Sequence, residues 1–97
     1  MDKHEFRQSL AAQTPPAGIS KLLQALWHDA KGDWKRAHEI VQSVKGTASA
    51  RVHAYLHRKE GDLDNANYWH GRAGTSMPKI PLEKEWEAFV TELLRET

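Results

Sequence analysis

Shifted against itself by 29 positions, the chain lays Gly32-Asp33-Trp34 on Gly61-Asp62-Leu63, Ala37 on Ala66, Val44 on Ala73, Leu23 on Val52, Leu26 on Tyr55, Trp27 on Leu56 and His28 on His57. Coincidence of a hinge, a cap and core positions restricts the chain to folds that build one unit twice. Glycine closes a helix in the left-handed conformation, and the aspartate after it accepts from the free amides that open the next helix. Each copy therefore reads as two helices joined by a two-residue hinge. Ala37 and Ala66 lie one turn beyond the hinge, where paired helices approach most closely and a larger side chain would splay them. Neither pair can hide its apolar face alone, so the two are expected to stack on a shared core.

The apolar spacing fills in the helices. Ile19, Leu22, Leu23, Leu26, Trp27 and Ala30 recur at helical intervals behind Ser20 as N-cap, and the helix stops at Gly32. The next buries Trp34, Ala37, Ile40, Val41 and Val44 and runs out at Gly46, with Thr47 placed to cap its successor. Ala48, Val52, Tyr55 and Leu56 line the third; Leu63, Ala66, Trp69 and Ala73 line the fourth, as far as Gly74. Nothing signals a strand. The expected fold is all-α and a single domain over 1–97: an N-terminal arm (1–18), a first helical hairpin (19–46), a second (47–74), then a linker and C-terminal capping helix (75–97). In the arm, Asp2 and Glu5 have capping-box spacing for a helix from Lys3 to Ala12. Phe6 and Leu10 anchor that arm weakly, so it either covers the first hairpin or stays mobile. In the tail, Pro81 suits the first helical position, and Leu82, Trp86, Phe89, Val90, Leu93 and Leu94 form a broad stripe expected to cap the second hairpin.

Gly32-Asp33-Trp34-x-x-Ala37 and Gly61-Asp62-Leu63-x-x-Ala66 resemble the Gly-Asp-Tyr-x-x-Ala hinge of tetratricopeptide repeats, and Ala66-x-x-Trp69-x-x-x-Ala73 is similar to the second helix of Sel1-type repeats. The resemblance spans Ile19 to Gly74. It implies two stacked, tetratricopeptide-like hairpins acting as a protein-interaction scaffold without catalytic residues.

The 14 Lys and Arg against 13 Asp and Glu give a net charge of +1, too little field to hold a phosphate backbone, so nucleic acid is not an expected partner. No run is apolar enough to span a membrane or to act as a signal peptide, which makes a cytoplasmic location the expectation. The lack of cysteine excludes disulfides, thiolate nucleophiles and cysteine-based metal sites. Gly71-Arg72-Ala73-Gly74 ends a helix rather than opening one, the wrong dipole end for an anion. With no phosphate loop, nucleophile elbow or paired carboxylates, neither an enzyme nor a cofactor is expected.

The residues left with chemistry to offer cluster on the second hairpin. His53 and His57 stand four apart, on one helix face. A zinc site needs a third ligand, which His28 or His70 could supply only if the hairpins stack favourably. The plainer expectation is that these histidines flank the core with their nitrogens towards water and hold no metal. Arg58, Tyr68, Trp69, His70 and Arg72 add residue types common at binding hot spots, although Trp69 also fits a core position and the others a solvated face. Two expectations follow. The first is an interaction module that binds a protein or peptide, or forms a homodimer. The second is a small-ligand or metal-binding protein built on His28, His53, His57 and His70.

Overall fold

The structure, a computed structural model, describes residues 1–96. It consists of α1 (Lys3–Ser9), α2 (Lys21–Ala30), α3 (Trp34–Gln42), α4 (Thr47–Glu60), α5 (Leu63–Ala73) and α6 (Leu82–Arg95), with no strand among the described residues. The all-α expectation holds. Among the described residues no helix is long and apolar enough to cross a membrane.

Local hydrogen bonds explain most of the boundaries. Asp2 accepts from the Glu5 amide at 2.8 Å while Glu5 accepts from the Asp2 amide at 3.1 Å, completing the capping box. Ser20, Asp33 and Asp62 accept from Leu23, Arg36 and Asn65 at 3.2, 3.1 and 3.1 Å. The two Gly-Asp turns are built alike: Gly32 and Gly61 have φ of 88° and 89°. Behind them the Asp33 and Asp62 amides each donate to a carbonyl five residues back, His28 and His57, at 2.9 Å. Such positive φ strains any residue that carries a Cβ and costs glycine little, which is why glycine stands there.

Four boundaries differ from expectation. α3 ends at Gln42 rather than running to Gly46, as the Ser43 and Val44 amides bond three residues back. α1 stops at Ser9 instead of Ala12, because the Leu10, Ala11 and Ala12 amides bond three residues back and tighten the chain out of the α-helix. Thr47 does not cap α4; Gly46, at φ 113°, makes the entry with no side-chain bond, so Thr47 is already helical. Pro81 is the residue before α6 rather than its first.

α2 packs on α3 and α4 on α5, while α3 also meets α4. Ala37 and Ala66 are wholly buried beneath the two turns, in keeping with the close approach their size allows. The main core gathers Leu23, Leu26, Trp27, Val41, Tyr55, Leu56 and Val90. Within it the Asp29 carboxylate, 1% exposed, accepts from the Tyr55 hydroxyl at 2.7 Å and from Lys59 Nζ at 2.8 Å, joining α2 to α4. Burial first, then the Asp29 charge, raise the Tyr55 phenol above its ordinary pKa and keep it a donor.

The tail packs on the second pair through α4, and it also reaches helices outside that pair. α6 packs against α2, α1 and α4, where the Trp86 indole donates to the Leu26 carbonyl at 2.9 Å. Arg58 on α4 bonds Glu85 at 2.7 Å and the Ile80 carbonyl. α5 is therefore left as an outer helix, and Leu63, expected in the core by its match to Trp34, is 53% exposed. Trp34 itself is half-buried and donates to the Leu56 carbonyl at 2.7 Å.

The arm is likewise no weak anchor. Phe6 is wholly buried 5.9 Å from the Trp86 ring, Arg7 pairs with Glu87 at 2.6 Å, and Ser9 Oγ accepts from the Trp27 indole at 3.2 Å. Phe6→Ala should lose about 3 kcal/mol of stability in urea denaturation. A loss below about 1 kcal/mol would place the arm outside the cooperative unit.

Candidate functional site

Where α3 crosses α4, the structure assembles a cluster that the sequence only half revealed. His53 and His57 occupy successive turns of α4, as their spacing requires, but the third imidazole comes from neither His28 nor His70. It comes from His38 on α3, whose Nε2 stands 3.0 Å from His53 Nε2. The three ring centroids form a near-equilateral triangle: His38 to His53 4.8 Å, His53 to His57 4.9 Å, His38 to His57 5.1 Å. His57 Nδ1 lies 2.6 Å from Glu60 Oε2, so the ring donates there and the carboxylate accepts. Two tryptophans brace the group. Trp34 stacks on His38 at 4.8 Å, and Trp69 stacks on His53 at 3.9 Å, bringing α3, α4 and α5 into one layered set of rings.

His53 and His57 are each 5% exposed. Their expected place at the core boundary, with nitrogens towards water, is corrected: burial comes from the α3 and α5 rings packed over α4, which no single-helix pattern displays. His70 is also buried, with Nδ1 2.9 Å from Thr75 Oγ1 and Nε2 without a hydrogen-bond partner. His28 lies elsewhere, edge-on to Trp27 at 5.2 Å. Arg58 is occupied by Glu85 and the Ile80 carbonyl.

The remaining expected residues flank a groove of about 650 Å³ formed by the end of α3, the start of α4 and the outer part of α5. Val41, Val44 and Ala50 supply apolar lining, and His53 and Trp69 join the groove to the ring cluster. Lys45 and Arg72 also line it, and no carboxylate does. Arg72 lies 5.4 Å from the centre of the Trp69 ring and donates to the Tyr68 hydroxyl at 3.2 Å, which presents Tyr68, 55% exposed, beside it.

The sequence did contain a pointer to His38: Trp34-x-x-x-His38 on one helix mirrors His53-x-x-x-His57 on the next, and both pairs put rings on one face. No family model, characterised protein or solved structure matches this chain.

Burial shifts His38, His53 and His70 towards their neutral forms. Burial first, then the adjacent His38 and His57, lower the His53 pKa to about 4. His38 is lowered by burial and then His57, against the opposing pull of Glu60 and Glu39. For His70, burial outweighs Glu85, with Arg51 and Arg58 acting in the same direction as burial. An unfolded histidine protonates near pH 6.5. Between that value and about 4 the unfolded chain thus binds protons that folded His53 refuses, and folding stability falls as pH drops through the window. The metal-free protein should melt about 5 °C lower at pH 5 than at pH 7. His53→Gln should flatten that dependence, and an equal drop in this variant would assign the acid sensitivity to other groups.

Proposed function

We propose that the protein is a small, tetratricopeptide-like interaction module whose groove receives an acidic, partly apolar peptide segment of a partner protein. Support comes above all from the composition of the groove walls: Lys45 and Arg72 face a surface of Val41, Val44, Ala50 and Trp69 with no carboxylate among the lining residues. Complementary charge steers encounter and excludes basic competitors, and the apolar floor supplies the burial that holds a segment in place. Trp, Tyr and Arg are the side chains that most often dominate interface energetics, and Tyr68, Trp69 and Arg72 stand together at one lip. Groove width matters as well. A volume of about 650 Å³ suits a few residues of an extended segment or one face of a helix, in keeping with the peptide-groove mode of recognition.

The test uses the full chain with two fluorescent decapeptides, one alternating glutamate with leucine and phenylalanine, the other with lysine in place of each glutamate. The acidic peptide should bind with micromolar affinity, weaken as salt rises, and lose about tenfold in affinity on Arg72→Ala. Lys45→Ala should act in the same direction, and Arg36→Ala, away from the groove, should have no effect. Equal binding of the basic peptide, or indifference to Arg72→Ala, would overturn the proposal. So would concentration-dependent sedimentation of the free chain abolished by Arg72→Ala, since the groove would then belong to a second copy.

A further inference from the structure

Beside the groove, the α3–α4 crossing gathers three imidazoles. One ring nitrogen each from His38, His53 and His57 lies within 4.8 Å of the other two. A tetrahedral divalent ion with bonds of about 2.0–2.1 Å to nitrogen keeps its ligand atoms about 3.3 Å apart. His38 Nε2 and His53 Nε2, 3.0 Å apart, already stand near that spacing. The His57 nitrogen, within 4.8 Å of the other two, has to draw closer to complete the third side.

The outer contacts match what such a site requires. Metal-bound histidines commonly give their second nitrogen to a carboxylate, which sets the tautomer and aims the lone pair. Glu60 does this for His57: with Nδ1–H donated to Oε2 at 2.6 Å, the lone pair is left on Nε2. Trp34 stacks on His38 and Trp69 on His53, which holds the planes of the other two rings. We infer that His38, His53 and His57 form a binding site for a divalent first-row transition metal ion of the zinc class, with Glu60 as the residue that positions His57.

An all-nitrogen donor set selects zinc, cobalt, nickel or copper over magnesium and calcium, which prefer oxygen. Before the ion enters, one Nε2 of the His38–His53 pair carries the proton of their shared hydrogen bond. Ligation requires both lone pairs, so that ring changes tautomer: its Nε2 proton passes to solvent while Nδ1 takes one up, and the imidazole stays neutral. Three protein ligands leave a fourth position for water or an anion.

Cobalt(II) titration of the untagged full chain, followed by its visible ligand-field bands, tests the site directly. Bands of four-coordinate intensity should saturate at one ion per chain and be displaced by zinc. About 100 μM zinc should raise the melting temperature by about 5 °C or more, while magnesium and calcium leave it unchanged. His38→Gln should abolish the bands. Glu60→Gln, a change at an exposed side chain, should weaken affinity by about tenfold with the fold intact. His28→Gln, remote from the cluster, should bind as the parent does. Absence of bands and of any melting shift at about 1 mM metal would overturn the inference. Binding that survives both His38→Gln and Glu60→Gln would overturn it equally.

Discussion

The Gly-Asp turns are the constraint from which the rest follows. A left-handed glycine reverses the chain within two residues, and the aspartate after it takes up an amide of the next helix, so α3 must return along α2 and α5 along α4. Alanine one turn later lets each returning helix approach closely. Close approach decides the chemistry as well as the packing. It seats α3 low enough on α2 for Trp34 to reach the Leu56 carbonyl and for His38 to meet the imidazoles of α4.

Buried contacts are unequally shared among the helices. The contacts that tie distant parts of the chain run through α1, α2, α4 and α6: Phe6 against Trp86, Asp29 beneath Tyr55 and Lys59, and Arg58 on Glu85. α5 adds Ala66 and His70 as its buried residues, and is held to α4 partly by Trp69 stacked on His53. A helix attached in this way can present Tyr68 and Arg72 outward without risk to the core. The cost is visible in Leu63. Its counterpart Trp34 is covered because a second helix pair follows the first, whereas α6 leaves the chain's order and packs back on α2 and α4, so nothing equivalent covers α5.

That asymmetry also explains what could and could not be read from the sequence. The caps at Asp2, Ser20, Asp33 and Asp62 are bonds between residues three apart, and the stripes of α2 and α6 repeat within a single helix; both kinds of information are local and survive without coordinates. His38 and the burial of His53 and His57 depend instead on how one helix pair lies on the next. The docking of α6 is non-local in the same sense: its stripe announces that it must be buried, and not against which partner. Phe6 shows the same limit, since Phe6 and Leu10 alone look a slight anchor until Trp86 is placed against the Phe6 ring.

A wall built only to separate helices would use leucine or phenylalanine, which carry no desolvation penalty. Placing three imidazoles against one another, two of them almost wholly buried, sacrifices solvation at each ring and recovers part of it through one His–His and one His–Glu hydrogen bond. Chains depart from local economy in this way chiefly where a site is being held in readiness. His53 belongs both to the cluster and to the lining of the groove. A dication on the imidazoles would therefore add to the field of Lys45 and Arg72 in the same direction, and an acidic segment and the metal would each strengthen the binding of the other by the same factor. On the two proposals above, the aromatic layer from Trp34 to Trp69 would be a wall common to the groove and the imidazole cluster, set by the crossing of α3 over α4.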